Sequence, residues 1–165
     1  MATIRRVNKT VPKKKGEILL GAIADDIAGA TDLCYTLVGQ GMRTIQEIDI
    51  PQKDKVVRDA DAVVIALNTR TAPAKDAIRQ SLAALRWLQA RGAQQIYFKY
   101  RATFNSTNRG NFGPVADALL DAMGEDFTIF CPSFPGAGRT VFQGHLFVGK
   151  QLLSGSFMRT HPATP

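Results

Sequence analysis

The chain has 165 residues, 45% of them hydrophobic and 21% charged, and carries a net charge of +7. That length suits one domain with a sizeable core, and the composition excludes a disordered, collagenous or disulfide-rich chain. All but one of the net positive charges come from Arg5, Arg6, Lys9, Lys13, Lys14 and Lys15, in a stretch with no acid. The basicity belongs to a tail. Residues 1–16 are therefore expected to be a basic disordered extension, with no specific nucleic-acid partner. No apolar run of about 18 residues occurs, so no membrane partner is expected. Cys34 and Cys131 read as small buried hydrophobes in a reducing compartment, and a cytoplasmic location follows as the expectation.

Taken in order, Ile18 to Ala24 is an apolar run that stops abruptly at two adjacent carboxylates, Asp25 and Asp26. A turn with Gly29 follows. Apolar residues then return at helical spacing at Ala30, Leu33, Cys34, Leu37 and Val38, the order of a buried strand, a functional turn and an amphipathic helix. Two carboxylates at the end of a buried strand repel each other and need solvent, a metal, a cation or ligand hydroxyls to hold them. Met42 to Ile48 alternates as a half-buried strand, 51–61 reads as loop, and Ala62 to Leu67 (AVVIAL) reads as a central parallel strand. Thr71 is placed as the N-cap of the next helix, with Pro73 inside its first turn and Ile78, Leu82, Leu85 and Leu88 as the buried stripe.

Ile96 to Tyr100 is the next strand, and a polar loop, 101–113, leads to a helix opened by Pro114. Asp126 to Cys131 (DFTIFC) reads as a further strand, and Val141-Phe142 with His145 to Val148 as a hairpin. Strands alternating with helical patterns imply an α/β fold: an open, mostly parallel sheet flanked by helices in three layers.

Ligands in such sheets bind outside the carboxyl ends of the strands. There the chain offers Asp25 and Asp26, then Arg70, then Lys99 and Asn105, then Arg139, Gln143 and His145. Arg70, Lys99 and Arg139 favour an anionic ligand, since a guanidinium fork matches a carboxylate, and the two aspartates suit hydroxyls. A small polyhydroxy acid satisfies both halves. Gly110 and Gly113, flanking Asn111, leave room for backbone N–H groups to face an anion at a helix N-terminus. Neither G-x-x-x-x-G-K-S/T nor G-x-G-x-x-G occurs, and His145 and His161 have no metal-ligand spacing, so no cofactor-binding or metal residue is assigned.

Four stretches together resemble the four-carbon acid sugar kinases, most closely the 3-oxo-tetronate kinases: GAIADDIAGATDL (21–33), ALNTRTAPA (66–74), YFKYRATFNSTNRGNFGPVADALLDA (97–122) and GRTVFQGHLFVG (138–149). MRTHPATP (158–165) also looks like that family's sequence. The resemblance implies an amino-terminal sugar-acid-binding domain over 17–165, apparently truncated, with a separate ATP-binding domain in the full-length family. ATP and Mg²⁺ are implied for that full-length enzyme, and none is expected for this chain alone. The family's first motif usually reads A-D-D-x-T-G-A, and Ala28 stands where threonine is expected. Its fourth-strand motif usually reads F-K-Y-C-S-T-F-D-S-T; here Arg101 and Ala102 replace Cys-Ser and Asn105 replaces the aspartate. Gly136-Ala137 stands where the family commonly has Glu-Asn.

The resulting expectation is the substrate-binding domain of an ATP-dependent kinase for a tetronate or 3-oxo-tetronate, as a fragment or degenerate copy inactive alone. Asp25 and Asp26 would hold hydroxyls, with Asp25 as the catalytic base. Arg70, Lys99 and Arg139 would hold the carboxylate or the migrating phosphoryl charge. The alternative is a non-catalytic sugar-acid-binding or regulatory module. A nucleotide-binding domain acting in trans and self-association into a homo-oligomer are the partner expectations.

Overall fold

A computed structural model describes residues 18–51, 57, 59–100 and 109–160. The basic tail, Asn105 with most of its loop, and His161 lie outside the described residues.

Four strands form one parallel sheet in the order β2-β3-β1-β4: β1 (Leu20–Ala24), β2 (Thr44–Ile48), β3 (Ala62–Ala66) and β4 (Gln95–Lys99). Ala24 at the end of β1 pairs with Ala66 of β3 on one side and Lys99 of β4 on the other. Three helices flank the sheet: α1 (Ile27–Gly39), α2 (Ala74–Gln89) and α3 (Phe112–Met123). The open parallel α/β sheet expected from the sequence is the observed fold.

Strand alternation separates two apolar layers. One face turns Ile23, Val63 and Ile65 toward Leu85 and Leu88 of α2 and Val115 and Leu119 of α3. The other turns Ala22, Ala24, Val64 and Ala66 toward Ala30, Leu33 and Leu37 of α1. Small residues on the second face let α1 approach the sheet closely. Helices α1 and α2 leave their strands toward opposite faces, so the loops after β1 and β3 diverge and open a crevice between them.

Three expectations are corrected. Cys131, read as buried, is exposed, and Cys34 is only partly buried. Thr71 is exposed and does not cap α2, whose N-cap is Pro73. Proline drives the preceding residue, Ala72, out of helical geometry, so the helix cannot include it, and the Pro73 carbonyl accepts from Asp76 and Ala77. Residues 126–131 have no regular secondary structure and pair in no ladder among the described residues. Phe127 and Ile129 are 75% and 74% exposed, so the apolar side chains of DFTIFC are largely left outside the core. Phe130 packs against the rings of Tyr100 and Phe112, each 5.6 Å away between centroids, and the Cys131 backbone hydrogen-bonds Tyr100.

The expected hairpin is present as β5 (Arg139–Phe142) and β6 (His145–Val148), extended by β7 (Gln151–Leu152) into a second, antiparallel sheet. Gln143 and Gly144 both have positive φ (47° and 77°), the two-residue turn whose twist matches antiparallel strands.

Candidate functional site

The site begins with the way β1 ends. The buried Asp25 has its backbone N–H bonded to the Lys99 carbonyl of β4 (3.1 Å). Its carbonyl accepts from the N–H groups of Thr69 (3.0 Å) and Arg70 (3.1 Å), just beyond β3. One residue thus joins three strand ends. Asp26 turns away as the N-cap of α1, in extended conformation, its carboxylate accepting from the Gly29 N–H. A Cβ on Gly29 would lie 2.9 Å from that carboxylate oxygen, so glycine is what allows the cap to close.

Two cations meet this turn. Arg70 Nη1 lies 3.9 Å from Asp26 Oδ2, with side chains only 14% and 16% exposed. Lys99 reaches over the first turn of α1, 3.7 Å from the position a Gly29 Cβ would take, and donates to the Tyr100 carbonyl (3.2 Å). Two cations and the positive end of a helix therefore surround one capping carboxylate, a setting that attracts a further anion. The loop bearing Arg70 is held from its other side by Asn111, whose amide nitrogen lies 2.7 Å from the Thr69 carbonyl and 2.9 Å from that of Ala72.

Beside this turn, on the α1 face of β4, lies a cavity of about 150 Å³. Asp32 and Thr36, one turn apart on α1, face Tyr97 and Lys99 of β4, with Ser133 and Phe134 closing the wall. That volume is well under the roughly 300 Å³ at which drug-sized pockets begin, and it suits only a small ligand. Burial pushes the Tyr97 phenol up. The same effect raises Tyr100 to about 12, so both rings stay protonated hydrogen-bonding groups at neutral pH.

Of the residues picked from the sequence, Asp25, Asp26, Arg70 and Lys99 come together here. Asn105 lies outside the described residues. Arg139, Gln143 and His145 belong to the hairpin, where Arg139 Nη1 donates to the Ala137 carbonyl (3.1 Å) and His145 Nδ1 sits 3.0 Å from the Gln143 carbonyl. Arg139 is tied to the cavity wall through its backbone, which exchanges hydrogen bonds with Phe134. Sequence reasoning missed Asp32, Thr36 and Tyr97. The signal for the first two was their i, i+4 spacing on the helix that Asp26 caps.

The Sugar-binding N-terminal domain family model matches residues 20–165. A 3-oxo-tetronate kinase of Burkholderia multivorans is 60% identical over 147 residues, covering 89% of this chain and 34% of that kinase. One from Escherichia coli K12 is 53% identical over 148 residues, covering 90% of this chain and 38% of that enzyme. The chain thus spans about a third of the length of the curated relatives it matches. Among solved structures, a Haemophilus influenzae protein is 50% identical with a TM-score of 0.84, covering 88% of this chain and 35% of that one. A Bordetella bronchiseptica domain of unknown function, a domain-swapped dimer with bound citrate, is 33% identical with a TM-score of 0.76, covering 89% and 37%. With the model spanning nearly all of the described residues and the fold shared by its solved neighbours, this chain belongs to the Sugar-binding N-terminal domain family.

Proposed function

We propose that residues 17–165 form the acceptor-binding unit of an ATP-dependent four-carbon acid sugar kinase, binding a tetronate or 3-oxo-tetronate. The observation that carries this reading is the Arg70–Asp26 pair beside Lys99, set over the first turn of α1 next to a small cavity. Arg70 and Lys99 take the ligand's carboxylate, while Asp25 and Asp26 accept from its hydroxyls. Asp25, buried at the crevice between β1 and β3, is the carboxylate that takes the proton of the reacting hydroxyl. Citrate in the Bordetella relative supports a hydroxy-acid ligand, and the kinase relatives support the tetronate class.

The resemblance to the four-carbon acid sugar kinases implies ATP and Mg²⁺ for the full-length enzyme. The described residues include no group of three His, Cys, Asp or Glu arranged to hold a metal ion. The nucleotide-binding function is assigned to the two thirds of those relatives that this chain does not cover.

Isothermal titration calorimetry with erythronate, threonate and citrate tests the reading. The chain binds at least one of them, and Arg70→Ala weakens that binding about ten- to a hundredfold, the loss expected for one side of a charge-assisted contact. An unchanged affinity with the fold intact refutes Arg70 as the carboxylate clamp.

A further inference from the structure

We infer that Asn111 is the positioning residue that sets Arg70, an inference that rests on the acid-binding reading of Arg70. Asn111 stands at the N-cap of α3, where asparagine is among the best capping residues, yet its side chain makes no capping bond. Its amide nitrogen instead meets three carbonyls some forty positions earlier: Thr69 at 2.7 Å, Ala72 at 2.9 Å and Arg70 at 3.4 Å. The amide has two hydrogens, so the two short contacts are its bonds and the Arg70 carbonyl shares one of them.

The same loop is bonded on its opposite edge, where the Thr69 and Arg70 N–H groups donate to the Asp25 carbonyl. Its N–H edge is therefore fixed to the end of β1 and its C=O edge to Asn111. Thr69 is 2% exposed, so water cannot replace the lost donor at that carbonyl without opening the loop. Arg70 projects from the span so clamped, and its Nη1 lies 3.9 Å from Asp26 Oδ2. Loosening the carbonyl edge frees the backbone that aims the guanidinium, and a clamp that must be ordered on binding holds its ligand less tightly.

Asn111→Asp keeps the size and removes the donor, placing a carboxylate against carbonyl oxygens. Asn111→Ala removes the donor without the repulsion and serves where the aspartate variant does not fold. Calorimetry with erythronate, threonate and citrate is run on the wild type, each Asn111 variant, Arg70→Ala and the double variants. Amide hydrogen exchange is read at Thr69, Arg70 and α2. The expected result is about tenfold weaker binding in the Arg70 background and less than about twofold change in the Arg70→Ala background, because Asn111 acts through Arg70. Exchange at Thr69 and Arg70 speeds up while α2 is unchanged.

Equal losses of affinity in both backgrounds would overturn the inference, as would unchanged exchange at Thr69 and Arg70. If the wild type binds none of the three acids, the acid-binding reading fails by itself. The exchange arm then still decides whether Asn111 holds the loop.

Discussion

Asp26 has two jobs in the structure, and a pair of substitutions separates them. It caps α1 through the Gly29 N–H, and it faces Arg70 at 3.9 Å with both side chains largely shielded. Asn caps a helix as well as Asp does, so Asp26→Asn keeps the first job and removes the second, whereas Asp26→Ala removes both. At 3.9 Å and an effective dielectric constant of about 20, the gross attraction is about 4 kcal/mol. Desolvation offsets much of it. Exposed pairs are worth about 0.2–1 kcal/mol, and breaking fully buried ones costs about 3–5 kcal/mol. This pair sits between, so Asp26→Asn should lower unfolding stability by about 1–3 kcal/mol. The alanine variant loses about 1 kcal/mol more, the usual worth of a cap. Urea unfolding followed by circular dichroism, with wild type and both variants in one buffer, measures each difference. Equal stabilities for the two variants would refute the capping role, and an asparagine variant as stable as wild type would refute the energetic role of the pair.

Leu88 is fully buried where α2 meets the sheet, and Leu88→Ala should cost about 2–5 kcal/mol in the same urea assay. A pH series tests Tyr100. Burial disfavours its phenolate and raises it to about 12, while the unfolded chain releases that proton near the usual value of about 10. The folded state then holds more protons between these values, so the stability contribution is complete below about pH 10 and is lost as pH rises through about 12. Tyr100→Phe should flatten that part of the profile, and an identical decline in wild type and variant would contradict the assignment.

The first strand, turn and helix were legible because three signals coincide there: an apolar run, two carboxylates that end it, and helical spacing beyond Gly29. Asp25, Asp26, Arg70 and Lys99 could be gathered in advance because parallel strands deliver their carboxyl ends to one rim, whatever the side chains are. The hairpin was legible because Gln143-Gly144 separates two apolar stretches by two residues. Residues 126–131 misled because a short apolar stretch reports which side chains are apolar and not whether a neighbour lies beside them. Thr71 misled because a capping side chain was weighed above the backbone restriction that Pro73 places on Ala72. Asn111 could not be read in its long-range role, because its partners lie 39 to 42 positions away.

The meeting of three strand ends at Asp25 is made by its amide and its carbonyl, groups that every residue except proline possesses. The junction of these three strand ends is thus written in main chain, although side chains such as Asn111 and Asp26 brace the loops around it. Such a division lets inheritance alter side chains without disturbing the junction. Under the proposed acid-binding function, exchanges at positions 25 or 99 would change the chemistry offered to the ligand while these main-chain bonds stay in place. A lineage can drift through weak or altered specificities without first losing its fold, and a laboratory library confined to those positions can explore the same ground.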